Sequence, residues 1–245
     1  MVKQGKAIRR RDFVKAVAIG GMAAGIGAGA LGASMISLLP PGVDEEFVTG
    51  SYGFTYIAGD QQVENKAWYL GLVGKPVKAS DFPLNGGAVA TWVGVPCLKP
   101  CWILYLDPGA DHVIPSPGGG IQTVSGFTAP EEAQVIQHGK GVLVAFYGGC
   151  VHACCIPGWK EVYKNLDIFH CTCHNSRYDP WSLIKDIDEK GREFIGAQRI
   201  QLPAQRSLPY IPLSLGGDGV TLLGDITDEN KDWYGYCGVK QKSRR

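Results

Sequence analysis

Hydrophobic positions in most of the chain fall in short runs that are rich in β-branched and aromatic residues. Such runs predict β-strands, and the 34 glycines and 15 prolines of the chain favour short strands separated by turns. The predicted strands are Thr55–Ala58, Ala88–Val93, Trp102–Leu106 and Gly141–Tyr147. Helical patterns after residue 50 are confined to Ala129–His138 and Trp159–Asn165, and Asp107–Ser125 is predicted as a surface loop. The pattern therefore predicts an all-β sandwich or small barrel.

The longest apolar run is Ala16–Leu39, which holds 24 residues without a charge. As a helix it would be about 36 Å long, enough for a hydrocarbon core of about 30 Å, so it is a candidate transmembrane anchor. A cleavable signal peptide is the alternative. Basic residues before the run and Asp44, Glu45 and Glu46 after it favour an N-terminus in the cytoplasm. The segment Arg10–Lys15 resembles a twin-arginine export signal.

These features divide the chain into four parts. They are a cytoplasmic export signal at 1–15, a transmembrane anchor at 16–39, a linker at 40–50 and an exported domain at 51–245, with a predicted insertion at about 107–138. The net charge of the chain is +1, but the charge is unevenly distributed. Both ends are basic, and residues 16–239 carry a net charge of about −8. An acidic body argues against nucleic-acid binding, which usually needs a basic face.

Two pairs of cysteine and histidine carry the candidate chemistry. Cys150 and His152 form a Cys-x-His pair, and Cys171 and His174 form a Cys-x-x-His pair. Two thiolates and two imidazoles can hold an asymmetric [2Fe-2S] centre, with cysteine ligands on one iron and histidine ligands on the other. A structural zinc site on the same residues is one alternative, although zinc fingers usually place a Cys pair before a His pair. Structural disulfides alone are the other, but they leave the two histidines unexplained.

The two motifs resemble the paired cluster-binding boxes of the Rieske [2Fe-2S] protein family, and specifically those of its respiratory, high-potential branch. The resemblance extends from about Gly141 to Gly224. It implies a Rieske-type antiparallel β sandwich with an inserted cluster-binding subdomain at about 146–180. It also implies a [2Fe-2S] cluster as the cofactor.

The resemblance assigns the cluster ligands. It implies that Cys150 and Cys171 bind one iron and that His152 and His174 bind the other. By the same resemblance, His174 is the ligand that hydrogen-bonds quinol, with His152 beside it at the exposed tip.

The resemblance also assigns four residues near the ligands. Cys155 and Cys173 stand where the respiratory branch has a disulfide that clamps the two loops, a pair that ring-hydroxylating dioxygenases generally lack. Ser176 and Tyr178 stand where high-potential members donate hydrogen bonds to cluster sulfurs, which raises the reduction potential. The segment from Leu202 to Pro209 resembles the proline-containing loop that covers the cluster.

The sequence departs from the family pattern at two positions. Cys154 and Asn175 stand where the family usually has glycine, and both positions often need a positive φ, which asparagine tolerates better than cysteine. One further disulfide is expected among the remaining cysteines, a local one between Cys97 and Cys101. Cys154 and Cys237 are left over, and a bond between them stays open.

The resemblance implies an electron-transfer subunit of a cytochrome bc-type quinol oxidoreductase or a related quinol oxidase, which is not catalytic alone. The implied partners are quinol, a cytochrome b-type membrane subunit, and cytochrome c or another high-potential acceptor. The expected location is the cytoplasmic membrane, with a single span and the Rieske domain on the outer side. The small subunit of a molybdenum oxidase such as arsenite oxidase is the first alternative, and an oxygenase electron-transfer component is the second.

Overall fold

The computed structural model describes residues 49–58, 67–93, 100–161 and 166–227. The described residues form fourteen β-strands and two 3₁₀ turns, at Leu70–Leu72 and Ala79–Asp81. The strands are β1 (Gly50–Tyr56), β2 (Gly86–Trp92), β3 (Cys101–Leu106), β4 (Asp111–Pro115), β5 (Ile121–Ser125), β6 (Ile136–His138), β7 (Gly141–Tyr147), β8 (Gly158–Glu161), β9 (Leu166–Cys171), β10 (Ser176–Ile187), β11 (Glu193–Gln201), β12 (Leu208–Ile211), β13 (Leu213–Leu215) and β14 (Leu222–Ile226).

Several sequence predictions lie outside the described residues. They are the export signal, the transmembrane anchor, nearly all of the linker, and the two cysteines Cys97 and Cys237. Within the described ranges, no helix has both the length and the apolar character needed to cross a membrane.

Twelve strands form one antiparallel ladder, and the remaining two form a separate hairpin. The order along the ladder is β13-β14-β1-β2-β3-β7-β12-β11-β10-β9-β8, with β6 also paired to β7. The hairpin consists of β4 and β5. The all-β, antiparallel part of the fold prediction is confirmed.

Strand β7 lies at the centre of the fold, and all seven of its residues are buried. It pairs with β3, β6 and β12, so a continuous apolar run such as Gly141–Tyr147 suits its position better than an alternating one. Its Phe146 ring contacts Phe169 of β9 edge-on, with ring centroids 5.3 Å apart, and Trp102 of β3 lies 5.9 Å from the same Phe169 ring. One hydrophobic core thus reaches from β3 to β9.

Strand β12 joins the two parts of the ladder. Leu208 and Pro209 pair with β11, whereas Tyr210 and Ile211 pair with Phe146 and Ala145 of β7. The strand therefore changes partner within four residues, and strands β8 to β11 connect to the rest of the ladder through it.

The predicted surface loop at Asp107–Ser125 is instead the β4–β5 hairpin. Its strands pair from Asp111 opposite Ser125 to Pro115 opposite Ile121. The apolar side chain of Ile114 packs with Leu166 and Ile168 of β9 in a small second core. This packing explains why a segment rich in glycine and proline has regular structure.

The two helix predictions are wrong in the described residues. Ala129–His138 has no helix and ends in β6, because pairing with β7 and long-range side-chain bonds fix its backbone. Tyr105 donates to the His138 carbonyl at 2.5 Å, and Tyr210 donates to the Gln134 carbonyl. The start of the segment predicted as a helix from Trp159 to Asn165 forms β8, paired with β9, and residues 162–165 lie outside the described ranges.

Gly148 lies just before the loop that carries Cys150 and His152, and its backbone packs closely against the backbone of Pro100. Its N–H donates to the Pro100 carbonyl at 2.8 Å, and a Cβ at this position would overlap that carbonyl oxygen. Because both groups are backbone, Gly148→Ala is expected to lower the free energy of unfolding by about 1–3 kcal/mol, measured by urea denaturation.

The matched control is Gly118→Ala in the β4–β5 turn, where an added Cβ would meet no atom within 4 Å. That variant is expected to stay within about 0.5 kcal/mol of the parent protein. Equal stability of the two variants would contradict the close approach of Gly148 and Pro100.

Candidate metal centre

Two loops carry the four residues that the sequence singles out, and they share one backbone design. The first loop follows β7 and begins at Cys150, and the second begins at Cys171 and joins β9 to β10. Cys154 N–H donates to the Cys150 carbonyl, and Asn175 N–H donates to the Cys171 carbonyl, both at 2.8 Å. Each turn thus closes four residues after a cysteine. Cys154 and Asn175 have φ values of 66° and 69°, as the departures from glycine predicted.

The sulfurs of Cys150 and Cys171 lie inside the site. The two residues are 0% and 1% exposed, and their thiols share a hydrogen bond. That bond lowers the pKa of Cys150 to about 5 against the opposing effect of burial, and the same bond and burial raise the pKa of Cys171. The pair thus loses its first proton readily and keeps the second. A cation that binds both sulfurs would displace the remaining proton.

The two histidines lie on the outside of the same loops. His152 and His174 are exposed, and their ring centroids are 4.6 Å apart with the ring planes at 83°. The structure therefore brings the two imidazoles together, with the two thiols buried below the surface. Such an arrangement offers an inner pair of sulfur ligands and an outer pair of nitrogen ligands.

Two buried hydroxyl groups contact the sulfur of Cys150. The Tyr178 hydroxyl lies 3.1 Å from that sulfur, and Ser176 also hydrogen-bonds it. Burial, followed by the charge on Cys150, raises the pKa of Tyr178, so the phenol keeps its proton and acts as a donor. Ser176 Oγ accepts a bond from Ala204 N–H at 3.1 Å, which leaves its own proton for the sulfur. Both donors stabilise negative charge on sulfur.

A disulfide between Cys155 and Cys173 joins the two loops, and it is the pair that the resemblance implies. The sulfurs of these two residues and of Cys171 all lie within 4.8 Å of one another. Because two of the three are bonded to each other, Cys171 is the thiol of this group that can bind a metal. The disulfide thus holds the loops together without using a ligand of the site.

The end of β11 and the segment after it contact the second loop. Gln201 Nε2 donates to the Asn175 carbonyl at 3.0 Å, and Ala204 N–H donates to Ser176 Oγ as described above. Leu202 is 65% exposed. That the segment from Leu202 to Pro209 covers the cluster stays a prediction of the resemblance.

Residues 120–200 match the Rieske [2Fe-2S] domain family. No curated protein sequence matches the chain. The matched segment contains both Cys–His loops, β10 and nearly all of β11. The segment that matches this family has a [2Fe-2S] cluster as its cofactor, and the match implies electron transfer through that centre. The buried sulfur pair, the hydroxyl donors and the exposed imidazole pair fit this group.

The predicted disulfide of Cys101 with Cys97 is wrong, because Cys101 is a buried free thiol that donates to the Ala90 carbonyl at 3.4 Å. Burial also raises its pKa strongly. Cys154, whose pairing with Cys237 was left open, is a free thiol as well.

His112 and Asp179 form a buried pair that no sequence motif predicts. Both are buried, and His112 Nε2 lies 3.3 Å from Asp179 Oδ2. The two residues are 67 positions apart, so no local pattern could have connected them. The one local signal is the position of His112 in β4, a strand whose residues alternate between buried and less buried positions, with His112 at a buried one.

The disulfide can be tested by replacing both of its cysteines with serine. Loss of an 18-residue link is expected to lower the free energy of unfolding by about 3 kcal/mol, because the unfolded chain gains freedom. The cluster should also be lost faster to an iron chelator, followed by its visible absorbance.

Cys101→Ser is the matched control, because Cys101 is buried, takes no part in a disulfide, and serine keeps a donor for Ala90. The chelator should act on this variant at the rate of the parent protein. An unchanged rate in the double serine variant would mean that the disulfide does not hold the loops at the cluster.

Proposed function

We propose that this protein accepts electrons from quinol and passes them to a high-potential acceptor, as the Rieske subunit of a cytochrome bc-type quinol oxidoreductase or a related quinol oxidase. The proposal has Cys150 and Cys171 on one iron and His152 and His174 on the other. When bound, the cluster supplies a one-electron acceptor of raised potential, since two neutral imidazoles replace two anionic thiolates. The observation that carries the proposal is the pair of hydroxyl donors on the Cys150 sulfur.

The donors favour the high-potential branch for a physical reason. A hydrogen bond to a cluster sulfur is stronger when the centre carries an extra electron, so each donor stabilises the reduced state. Tyr178 is 0% exposed, and water therefore cannot substitute for its hydroxyl group. Quinol is a weak reductant, and an acceptor with a raised potential is what its oxidation requires.

The exposed histidines supply the proposed contact with quinol. His174 would accept a hydrogen bond from the quinol hydroxyl and take up its proton, while His152 flanks the same position. An imidazole suits this task because the ordinary pKa of an imidazole lies near neutral pH and responds to the charge of a bound metal. The side chains of the buried cysteines, in contrast, are out of reach of a docked substrate.

The disulfide supports a location outside the cytoplasm. Disulfides persist in oxidising compartments and are rare where glutathione and thioredoxin keep thiols reduced. We therefore propose that the Rieske domain lies on the outer side of the cytoplasmic membrane, with residues 16–39 as its anchor and residues 1–15 as its twin-arginine export signal. A cytochrome b-type subunit and cytochrome c, or another high-potential acceptor, are the proposed partners.

Electron paramagnetic resonance of the reduced protein, combined with redox titration at several pH values, tests this function. We expect a Rieske signal and a positive midpoint potential within the range of about −150 to +300 mV known for such centres. The potential should fall in alkaline solution by up to about 59 mV per pH unit for each coupled proton, because the oxidised state releases protons from its imidazoles.

Two other results would contradict the proposal. A Rieske signal at strongly negative potential would favour an oxygenase electron-transfer component, and stoichiometric zinc without a signal would exclude the electron-transfer role. Isolation from native membranes separates the remaining alternative, since co-purified b-type haem indicates a quinol complex and co-purified molybdenum indicates a molybdenum oxidase.

Tyr178→Phe tests the contribution of the phenol hydroxyl. The variant keeps the ring and loses one donor to Cys150. The midpoint potential is therefore expected to fall, by about 59 mV for each 1.4 kcal/mol by which the hydroxyl stabilises the reduced state more than the oxidised state. Tyr210→Phe is the matched control, because its hydroxyl donates to the Gln134 carbonyl. Equal potentials in the two variants would show that the Tyr178 hydroxyl does not tune the centre.

A further inference from the structure

A cleft of about 420 Å³ lies between the β4–β5 hairpin and strands β10 and β11. None of the four proposed cluster ligands lines it. Its size falls within the range of small-molecule sites, and its lining combines apolar side chains such as Ile114, Val124 and Ile200 with hydroxyl, amide and charged groups. The cleft is therefore a separate site from the metal centre.

An irregular stretch of β10 builds one wall of this cleft. Asp179 pairs with Gln198 and Leu183 pairs with Ala197, so the three residues between Asp179 and Leu183 leave the regular ladder. Thr128 holds this bulge in place, because its N–H donates to the Trp181 carbonyl and its carbonyl accepts from Leu183 N–H, both at 2.8 Å. Bulges of this kind often redirect side chains at functional sites. Here the bulge brings the Trp181 side chain to the cleft lining.

His112 lies against this bulge from the side of the hairpin. Its ring stacks on Trp181, with centroids 4.8 Å apart and planes at 7°, and the residue is only 1% exposed. Its Nε2 faces Asp179 Oδ2 at 3.3 Å, and the other oxygen of Asp179 accepts from Trp181 N–H at 2.9 Å. Asp179 therefore fixes a proton on Nε2 and leaves Nδ1 as the ring nitrogen that is free to meet another group.

Two buried polar atoms at this position lack a hydrogen-bond partner. They are Nδ1 of His112 and Nε1 of Trp181, and both residues line the cleft. An unpartnered buried polar atom destabilises the folded protein, so proteins rarely keep one without a reason. A ligand that offers both a shared proton and an acceptor oxygen would satisfy both atoms together.

A carboxyl group has this combination. One proton lies between a carboxyl oxygen and an imidazole nitrogen whichever of them formally carries it, and a carboxyl oxygen also accepts from an indole N–H. Arg199, on the same lining, adds positive charge for the carboxylate form. Its Nη1 donates to the carbonyls of Ala204 and Gln205 at 3.1 and 2.5 Å, which fixes the side chain beside the cleft.

We propose that this cleft binds a small apolar carboxylic acid. The carboxyl group lies among His112, Trp181 and Arg199, and the hydrocarbon part lies against Ile114, Val124 and Ile200. The Asp179–His112 pair acts as the positioning element, because Asp179 determines which ring nitrogen meets the ligand.

The test is isothermal titration calorimetry of the cluster-loaded protein with three probes: benzoate, benzamide and inorganic phosphate. Benzoate is expected to bind at one site per chain. Benzamide keeps the ring and a donor–acceptor pair but lacks the negative charge that Arg199 attracts, and phosphate has the charge without an apolar part, so each is expected to bind at least about tenfold more weakly. Benzamide binding as tight as benzoate binding, or the absence of saturable heat with benzoate, would overturn the proposal.

Four variants locate the binding. R199Q and H112Q should each weaken benzoate binding by about tenfold or more, and R199K should recover part of the affinity because it restores the charge. K140Q is the control, since Lys140 is exposed and does not line the cleft, and it should bind as the parent protein does. Thermal unfolding of each variant confirms that it is folded. Folded R199Q and H112Q variants with unchanged affinity would also overturn the proposal.

Discussion

Burying Cys150 and Cys171 side by side is costly unless their negative charge is balanced, because each thiolate loses its hydration and the two repel each other. The surrounding residues reduce this cost in two ways, because the sulfurs share a proton and two hydroxyl donors point at one of them. The Cys155–Cys173 disulfide then holds the two loops together against the repulsion that remains. A cluster that brings positive iron to both sulfurs completes the balance.

The two loops achieve this with a repeated turn and not with a common sequence. In each loop a carbonyl of the first cysteine is bonded four residues later, and the closing residue has a positive φ. Cys154 adopts this conformation although cysteine has no special tolerance for it, and the local cost is of the order of 1 kcal/mol or more. Contacts around the turn must supply that energy. The hydrogen bond from Cys150 N–H to the Cys155 carbonyl and the neighbouring disulfide are two such contacts.

Sequence reasoning succeeded where the signal was local. The run Gly141–Tyr147 predicted a strand, which the structure confirms, and the Cys–His motifs predicted a [2Fe-2S] cofactor, which the family match bears out. The assignment of the four ligands stays a prediction. It failed where distant residues decide the conformation. Ala129–His138 has a helical pattern, but bonds from Tyr105 and Tyr210 and the pairing of Ile136–His138 with β7 hold it in a non-helical conformation. The β4–β5 hairpin was missed for the same reason, because its small core forms with residues about fifty positions away.

The change of pairing partner along β12 has a consequence for how the protein unfolds. Within the described residues, strands β8 to β11, which support both Cys–His loops, pair with the rest of the ladder only through this four-residue strand. Their side chains nevertheless belong to the same hydrophobic core as those of the other strands. Separating the two parts would expose Phe169 and Phe146 together. The two parts are therefore coupled into a single cooperative unfolding unit. Bleaching of the cluster colour on heating would then report the melting of the whole domain, including strands far from iron.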